Sequence, residues 1–175
     1  MWPLRGFLSY LGYDARGWGL GLNGGGPEEC AERFLAGIDD SVRDENRLTL
    51  IGWSLGGVVA RIVAMERPDA VREVITLGTP VEGGPKYTSA GAFYARKRGL
   101  DLDEFEQHVH QQNQRGLDVP LTVVYSRSDA VVGWRAAIDR YNLHADHIEV
   151  PGSHIGLGFS PRVWRIIAQT LSPPQ

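Results

Sequence analysis

The sequence predicts an α/β fold with three layers, in which helices cover both faces of a mostly parallel sheet. Short apolar runs rich in β-branched residues alternate with helical patterns almost throughout the chain, as in proteins built from strand–helix–strand units. The 175 residues are 42% hydrophobic and 22% charged, a composition typical of one globular domain. We therefore expect a single domain that spans residues 1–175.

Each predicted strand is a short apolar run bounded by turn residues, and the runs lie at 13–18, 47–52, 72–77, 121–125 and 148–150. The predicted helices have apolar residues at helical spacing and lie at 3–11, 27–42, 55–67 and 161–171. Pro27 suits the first turn of its helix, and Pro68 ends the helix that precedes it.

A segment at residues 84–119 interrupts this alternation. It begins with a glycine and a proline and ends in a polar run. We expect it to form a cap or lid over the strand ends, where Phe93, Tyr94 and Phe105 would offer an apolar surface. An ordinary long crossover helix would give the same pattern.

The most informative motif is the run Gly52-Trp53-Ser54-Leu55-Gly56, between a predicted strand and a predicted helix. A serine in so tight a turn adopts a strained backbone conformation, and its oxygen projects at the carboxyl end of the strand. A side chain at Gly52 or Gly56 is expected to collide with the opposing backbone, so both positions are predicted to require glycine. The start of the following helix offers free N–H groups and a positive dipole to a developing oxyanion. A glycine-rich turn with an incidental serine is the alternative.

A nucleophilic serine needs a base within hydrogen-bond reach and a group that orients the base. Asp129 follows the strand at 121–125, which places its carboxylate at the same edge of the sheet as Ser54, although an aspartate there can instead be a helix cap or a turn residue. His154 lies in a loop between the last strand and the last helix, from which it can reach back to the serine. Should Asp129 not be the acid, Glu82 is the second choice.

The other four histidines are less well placed. His108 and His110 lie in the polar part of the 84–119 segment and are expected to face solvent, whereas His144 and His147 lie before or at the start of a strand. Neither pair has a third ligand at a spacing typical of metal sites, so we predict no metal.

Residues Gly19 to Gly24 match the G-x-G-x-x-G pattern of dinucleotide-binding turns. Such a site needs its third glycine inside the helix and an acidic residue at the end of the next strand. Here the helix does not begin before Pro27, and the next strand ends at the serine turn. We therefore predict no cofactor; a nucleotide-binding oxidoreductase is the alternative that the glycine pattern suggests and the residues after it contradict.

The charge balance argues against several classes of partner. The net charge is −3, the sequence pI is about 5.9 and no cluster of Lys or Arg occurs, so we expect no binding to nucleic acid or to an anionic membrane. No apolar stretch approaches the roughly 18 residues of a membrane span, and the first residues do not resemble a signal peptide, which predicts a cytoplasmic protein. The single cysteine, Cys30, excludes an internal disulfide and is predicted to be a packing residue.

These motifs resemble those of the α/β-hydrolases, and more narrowly those of small bacterial lipase- and esterase-like members. The resemblance covers nearly the whole chain and is carried by residues 52–57, 76–80, Asp129 and 152–156. Residues 76–80, Thr-Leu-Gly-Thr-Pro, are similar to the L-G-T-P element of lipases.

The resemblance assigns a role to four residues. It implies that Ser54 is the nucleophile, His154 the base and Asp129 the group that orients the base, and that the backbone N–H of Leu55 contributes to the oxyanion hole. It also implies hydrolysis of small-molecule or lipid carboxylic esters through an acyl-enzyme intermediate. The oligomeric state does not follow from the sequence.

Two features differ from the family pattern. Val81 and Glu82 stand where lipases often have a histidine. The sequence also opens at what resembles the family's first helix, so we expect an N-terminally truncated sheet that lacks a strand between 13–18 and 47–52, together with the oxyanion loop. Such a chain is expected to be weakly stable and nearly inactive.

Residues Met1 and Trp2, or the loop Gly19–Gly26, would have to supply the second oxyanion donor if the chain is active. The main rival interpretation is a non-catalytic protein of the same fold with an incomplete oxyanion hole.

Overall fold

A computed structural model describes residues 1–21, 26–39, 42, 44–89, 91, 95–96, 99 and 101–171. Its strands are β1 (Leu48–Trp53), β2 (Val71–Leu77), β3 (Leu121–Tyr125) and β4 (Asp146–Glu149). Its α-helices are α1 (Trp2–Tyr10), α2 (Pro27–Leu35), α3 (Leu55–Glu66), α4 (Leu102–Asn113), α5 (Trp134–Ala137), α6 (His154–Phe159) and α7 (Pro161–Leu171). Short 3₁₀ turns lie at Asp44–Asn46 and Gly84–Tyr87.

The four described strands form one parallel sheet in the order β1-β2-β3-β4. In the centre, Ile75 of β2 pairs with Ile51 of β1 on one side and with Thr122 of β3 on the other. Because all strands run the same way, the residues that follow them meet at one edge of the sheet. Ser54 and Asp129 both follow strands at this edge.

Alternation along the strands divides the core into two apolar layers. Val74 and Val123 belong to the layer under α2 and α3, whereas their neighbours Ile75 and Val124 belong to the layer under α1 and α7. Buried residues of the second layer include Leu4 and Leu8 of α1, and Val163 and Ile167 of α7. The helices thus cover both faces of the sheet, and the predicted three-layer α/β fold is confirmed.

The predicted strand at 13–18 is wrong, because these residues are described and form no strand. Tyr13 and Ala15 pack on the layer under α1 while Asp14 and Arg16 point to solvent and pair with each other. The Tyr13 N–H donates to Leu8 O, at the end of α1, instead of joining a ladder. The alternation that predicted a strand therefore comes from an extended loop in which alternate side chains, those of Tyr13 and Ala15, pack against the core. Among the described strands, β1 has a partner only on its β2 side.

Two other predictions need new boundaries. The helix predicted for 27–42 ends at Leu35, where Gly37 and Ile38 close tight turns on Phe34 and Leu35. Glycine is among the poorest helix formers, which explains the early end. The predicted loop around His154 is a short helix, because Ser153 caps it by accepting a hydrogen bond from the Gly156 N–H.

No α-helix in the described ranges combines the length and the apolar character that a membrane crossing requires.

Candidate active site

Ser54 occupies a strained turn between β1 and α3. Its φ of 54° and ψ of −126° make it the one non-glycine residue with positive φ in the described part of the chain. Three hydrogen bonds hold it: its N–H donates to Leu77 O at 2.9 Å, and its carbonyl accepts from Gly57 N at 2.9 Å and from Thr79 Oγ1 at 3.1 Å. Such strain persists only where the surroundings over-determine the conformation, as they do here.

Only one of the two flanking glycines is required for the reason expected. A Cβ atom at Gly52 would lie 2.3 Å from the Cα of Gly57, which confirms the predicted collision. A Cβ atom at Gly56 would meet nothing within 4 Å, so the prediction for Gly56 is wrong. The second restricted position is Gly57, whose Cβ would lie 2.0 Å from Thr79 Oγ1. The close contact between α3 and the segment after β2 is therefore made at Gly57, one residue after the predicted position Gly56.

Asp129 and His154 form a buried pair at the same edge of the sheet. His154 Nδ1 lies 2.7 Å from Asp129 Oδ2, with side-chain exposures of 8% and 2%. The other oxygen, Asp129 Oδ1, accepts from the Val131 and Val132 N–H groups at 2.8 and 2.9 Å. A carboxylate facing Nδ1 places the imidazole proton there, which leaves Nε2 free to accept a proton. Asp129 does not cap a helix, because the next helix begins at Trp134, but its Oδ1 closes the turn at Val131 and Val132 while its Oδ2 faces His154.

Gly78 makes room for this pair at the end of β2. A Cβ atom there would lie 3.0 Å from Asp129 Oδ2 and 3.2 Å from His154 Nδ1, and the residue has φ of 53°. A side chain at Gly78 would therefore push the carboxylate and the imidazole away from the sheet edge.

Trp53 connects the strand that ends at Ser54 to the helix that begins at His154. Its Nε1–H donates to His154 O at 3.0 Å, and its indole lies 5.5 Å from the imidazole, centroid to centroid. Phe159, at the other end of α6, packs edge-on against the same indole. Trp53 thus fixes α6 from both ends. The sequence pattern assigns Trp53 no role, since its partners lie more than a hundred residues away.

Ser126 joins the loop that carries Asp129 to the turn before α6, the helix that begins at His154. Its buried hydroxyl donates to Gly152 O at 2.6 Å and accepts from the Ser128 N–H at 3.1 Å. This contact also escaped sequence analysis, because a serine after a strand has no distinguishing pattern.

The remaining predicted residues are placed as follows. Ser54 and His154 are not hydrogen-bonded to each other in this structure. Leu55 is the first residue of α3, and its N–H has no acceptor among the described backbone groups, as at any helix start. Glu82 pairs with Arg140 at 3.2 Å rather than with His154. In the loop Gly19–Gly26, residues 22–25 lie outside the described residues.

Three of the other four histidines, His108, His110 and His147, have described partners elsewhere. His108 lies 3.9 Å from Glu28, His110 Nδ1 lies 2.8 Å from the Tyr141 hydroxyl, and His147 Nε2 accepts from the Asp139 N–H at 3.1 Å. Within the described ranges, no three His, Cys, Asp or Glu residues are grouped so that they could hold a metal ion.

A cleft of about 180 Å³ opens beside Ser54. Its walls come from α3, from the segment after β2, from α4 and from the loop after Asp129, and they are mostly apolar. The lining residues are Pro27, Glu28, Ser54, Leu55, Val58, Arg61, Ile62, Pro80, Val81, Gly84, Pro85, Thr88, Phe105, Val109, Gln112, Asn113, Val131 and Val132. Phe105 lies in this wall, whereas Phe93 and Tyr94 lie outside the described residues.

Comparison with known families gives one match. The family model of the PGAP1-like alpha/beta domain matches residues 28–132, a segment that contains Ser54 and Asp129 and ends before His154. No curated protein sequence matches the chain.

Solved structures share the fold at low sequence identity. A lipase-esterase related protein from Clostridium acetobutylicum is 14% identical, with a TM-score of 0.61 over 90% of this chain and 79% of its own. Mouse alpha/beta hydrolase domain-containing protein 10 is 20% identical, with a TM-score of 0.60 over 86% of this chain and 70% of its own. The enol-lactonase from Burkholderia xenovorans is 15% identical, with a TM-score of 0.60 over 86% and 76%. The predicted α/β-hydrolase fold is confirmed.

Proposed function

Because this chain belongs to the PGAP1-like alpha/beta domain family and has an α/β-hydrolase fold, we propose that it is a serine hydrolase of carboxylic esters. Ser54 is the nucleophile, His154 the base and Asp129 the group that orients the base. The observation that carries the proposal is the buried 2.7 Å contact between Asp129 and His154 at the sheet edge where strained Ser54 lies.

In the proposed reaction, Ser54 Oγ attacks the ester carbonyl while His154 Nε2 takes the hydroxyl proton. The resulting oxyanion accepts a hydrogen bond from the Leu55 N–H at the start of α3. Collapse of this intermediate breaks the bond to the alcohol, which leaves with the proton held by His154. Water then attacks the acyl-serine, again giving a proton to His154, and the acid departs as Ser54 regains its hydrogen.

The lack of a hydrogen bond between Ser54 and His154 is compatible with a resting enzyme. Catalytic hydrogen bonds are often long or misaligned without substrate and tighten only when the reacting group is bound. Trp53 supports the arrangement, because it connects the residue before Ser54 to the backbone and ring of His154.

We further propose that the segment at 84–119 shapes access to Ser54. Phe105 and Val109 of α4 line the cleft, and Lys86 holds α4 by contacts with Asp103 and Glu106 at 2.6 and 2.5 Å. An apolar wall of this kind suits the acyl part of an ester.

Covalent labelling with a fluorophosphonate tests the proposal. The parent protein is expected to gain one phosphonyl group by mass spectrometry, and Ser54→Ala is expected to gain none. Ser9→Ala, which removes an exposed serine of α1, is the control and should label like the parent. An unlabelled parent, or labelling that persists in Ser54→Ala, would contradict the assignment and favour a non-catalytic protein of the same fold.

A further inference from the structure

The cleft beside Ser54 is apolar along most of its wall but has a polar group of residues in one region. Arg61, Gln112 and Asn113 line the cleft, Arg61 is hydrogen-bonded to Asn113, and Gln112 is the residue before Asn113 on α4. Arg61 lies on α3 seven residues after Ser54, which corresponds to about 10 Å along the helix axis. Gln112 and Asn113 are the last residues of α4.

Arg61 is a buried cation whose charge is already balanced. It is 2% exposed; Nη1 donates to Asp139, and Nη2 donates to Asn113 Oδ1 at 3.0 Å. Burial lowers the pKa of the Arg61 guanidinium, and the neighbouring Asp139 carboxylate opposes that shift. Asn113 is held in turn, since its Nδ2 donates to Val81 O at 2.8 Å. Arg61 and Asp139 together are therefore close to neutral, and the hydrogen bonds of Asn113 fix the guanidinium in place.

Hydrogen-bonding capacity is left over in this region. A guanidinium carries five N–H donors, and the described contacts of Arg61 use only those that face Asp139 and Asn113. The half-buried Gln112 side chain makes no hydrogen bond with any described residue. Polar side chains that line a cleft and have no hydrogen-bond partner favour ligands with a polar group that can bond to them. An apolar ligand would exclude water from these side chains without replacing its hydrogen bonds.

We propose that this region is an acyl subsite for a neutral hydrogen-bonding group, such as a hydroxyl, keto or amide group, carried on the acyl chain of the ester. The inference rests on the proposed function of Ser54 and names its substrate class. One residue of an extended polypeptide has three backbone bonds and covers about 3.5 Å. An extended acyl chain has similar bond lengths, so a distance of about 10 Å corresponds to roughly eight of its bonds. Because the Arg61 side chain leans toward the start of its helix, the group is expected about six to eight bonds from the ester carbonyl.

The charges of the cleft favour a neutral group over a carboxylate. Asp139 already neutralises Arg61, and Glu28 also lines the cleft. A second carboxylate would therefore lose its hydration and meet negative charge without a free cation to balance it.

A matched substrate series on the parent protein tests the subsite. The p-nitrophenyl esters of nonanoic acid and of ω-hydroxyoctanoic acid have the same length and differ by a terminal methyl or hydroxyl group. We expect kcat/KM to be about tenfold higher for the hydroxy ester, as for one hydrogen bond to a charged partner. The monoester of the corresponding dicarboxylic acid should be the poorest of the three. Equal rates, or a preference for the nonanoyl ester, would overturn the inference.

Variants assign the preference to the named residues. Gln112→Leu should remove part of the preference without unfolding the protein, because its side chain has no described partner to lose. Gln111→Leu changes the exposed neighbour on the same helix and should keep the full preference. Arg61→Lys should reduce the preference further. A preference unchanged in both Gln112→Leu and Arg61→Lys would place the subsite elsewhere and refute this assignment.

Two controls separate failure of the subsite from failure of the proposed function. Hydrolysis of p-nitrophenyl acetate without any hydroxy preference would refute the subsite and leave the serine hydrolase intact. If no ester is cleaved, calorimetric titration of the parent with octane-α,ω-diol and with nonanol still tests the subsite. Tighter binding of the diol supports it, and equal or weaker binding refutes it.

Discussion

At the scale of single residues, the site depends on a few atoms held against their intrinsic preferences. A serine with positive φ costs on the order of 1–3 kcal/mol, and three hydrogen bonds hold Ser54 in that state. Asp129 is held by two backbone N–H groups before it meets His154. The groups proposed to react are therefore placed before any substrate arrives, which is how an enzyme lowers the cost of reaching the transition state.

Substitution of the proposed triad should give large and non-additive losses. If the chain hydrolyses p-nitrophenyl acetate at a measurable rate, Ser54→Ala and His154→Ala should each lower kcat by about 10⁴-fold or more, and the double variant should be little worse, because the residues act as a unit. Asp129→Asn should cost less, since the base survives in a poorer tautomer. Circular dichroism should show that each variant is folded. Activity within tenfold of the parent in Ser54→Ala would remove it from the mechanism.

Trp53 is expected to position His154 for catalysis. Trp53→Phe loses the 3.0 Å hydrogen bond to His154 O and should lower kcat while KM changes little. Trp164→Phe is the matched control, because Trp164 Nε1 donates at 3.3 Å to Gly158 O on the same short helix and no described ring contact links it to His154. Equal losses of kcat in the two variants would show that the indole only stabilises α6.

At the scale of elements, the sequence predicted those parts whose pattern is set locally. Strands β1, β2 and β3 and helices α3 and α7 lie close to their predicted positions, because periodicity and the punctuating Gly and Pro residues decide them. The segment at 13–18 fails for the opposite reason: alternation reports which side chains are buried and does not show whether a strand partner exists. The roles of Trp53, Gly78 and Ser126 depend on contacts between distant segments, so no local pattern could reveal them.

The packing of α3 on the segment after β2 predicts opposite effects for two adjacent glycines. Gly56→Ala adds a methyl group where nothing lies within 4 Å and should be neutral or stabilising by up to about 1 kcal/mol, as alanine favours helix. Gly57→Ala forces a contact with Thr79 Oγ1 and should destabilise the protein by about 1–3 kcal/mol. Urea unfolding of both variants measures the difference. Equal destabilisation would contradict the described packing.

The contacts that hold α4 predict a dependence on pH. Lys86, and then the Tyr87 hydroxyl, hold the pKa of Glu106 below its usual value. A carboxyl group whose pKa is lowered by folding stabilises the folded state above its unfolded pKa of about 4.3 and loses that effect as pH falls through the lower, folded value.

Glu106→Gln should therefore destabilise the protein at neutral pH, and this difference from the parent should disappear as the pH falls below about 4. Glu104→Gln, at an exposed position on the same helix, is the control for the loss of one charge. Chemical unfolding at several pH values provides the measurement. A Glu106→Gln effect of constant size across this range would show that the Lys86 contact does not hold α4.

At the scale of the whole molecule, one buried polar network joins parts of the chain that the sheet does not connect. Arg61 of α3 meets Asn113 at the end of α4 and Asp139 in the connection from α5 to β4. Asp139 also accepts from the Tyr141 and Asn142 N–H groups at 2.9 and 3.0 Å. The network thus fixes the cleft wall relative to the helix that begins at the proposed nucleophile. No local pattern in the sequence indicates this network, since an arginine within a helix is usually a surface residue.

Removing both members of this buried pair should cost less than the sum of the two single removals. Asp139→Ala leaves the buried Arg61 without its counter-charge, and Arg61→Met does the same to Asp139, so each should lower the free energy of unfolding by about 3–5 kcal/mol. The double variant should lose clearly less than the sum, because it buries no unpaired charge. Glu66→Ala, which breaks the exposed 2.6 Å pair with Arg115, is the control and should cost less than about 1 kcal/mol. Urea unfolding gives all four values, and if a single variant does not fold, recovery of the fold in the double variant carries the same information. Strict additivity of the two losses would show that Arg61 and Asp139 stabilise the protein independently.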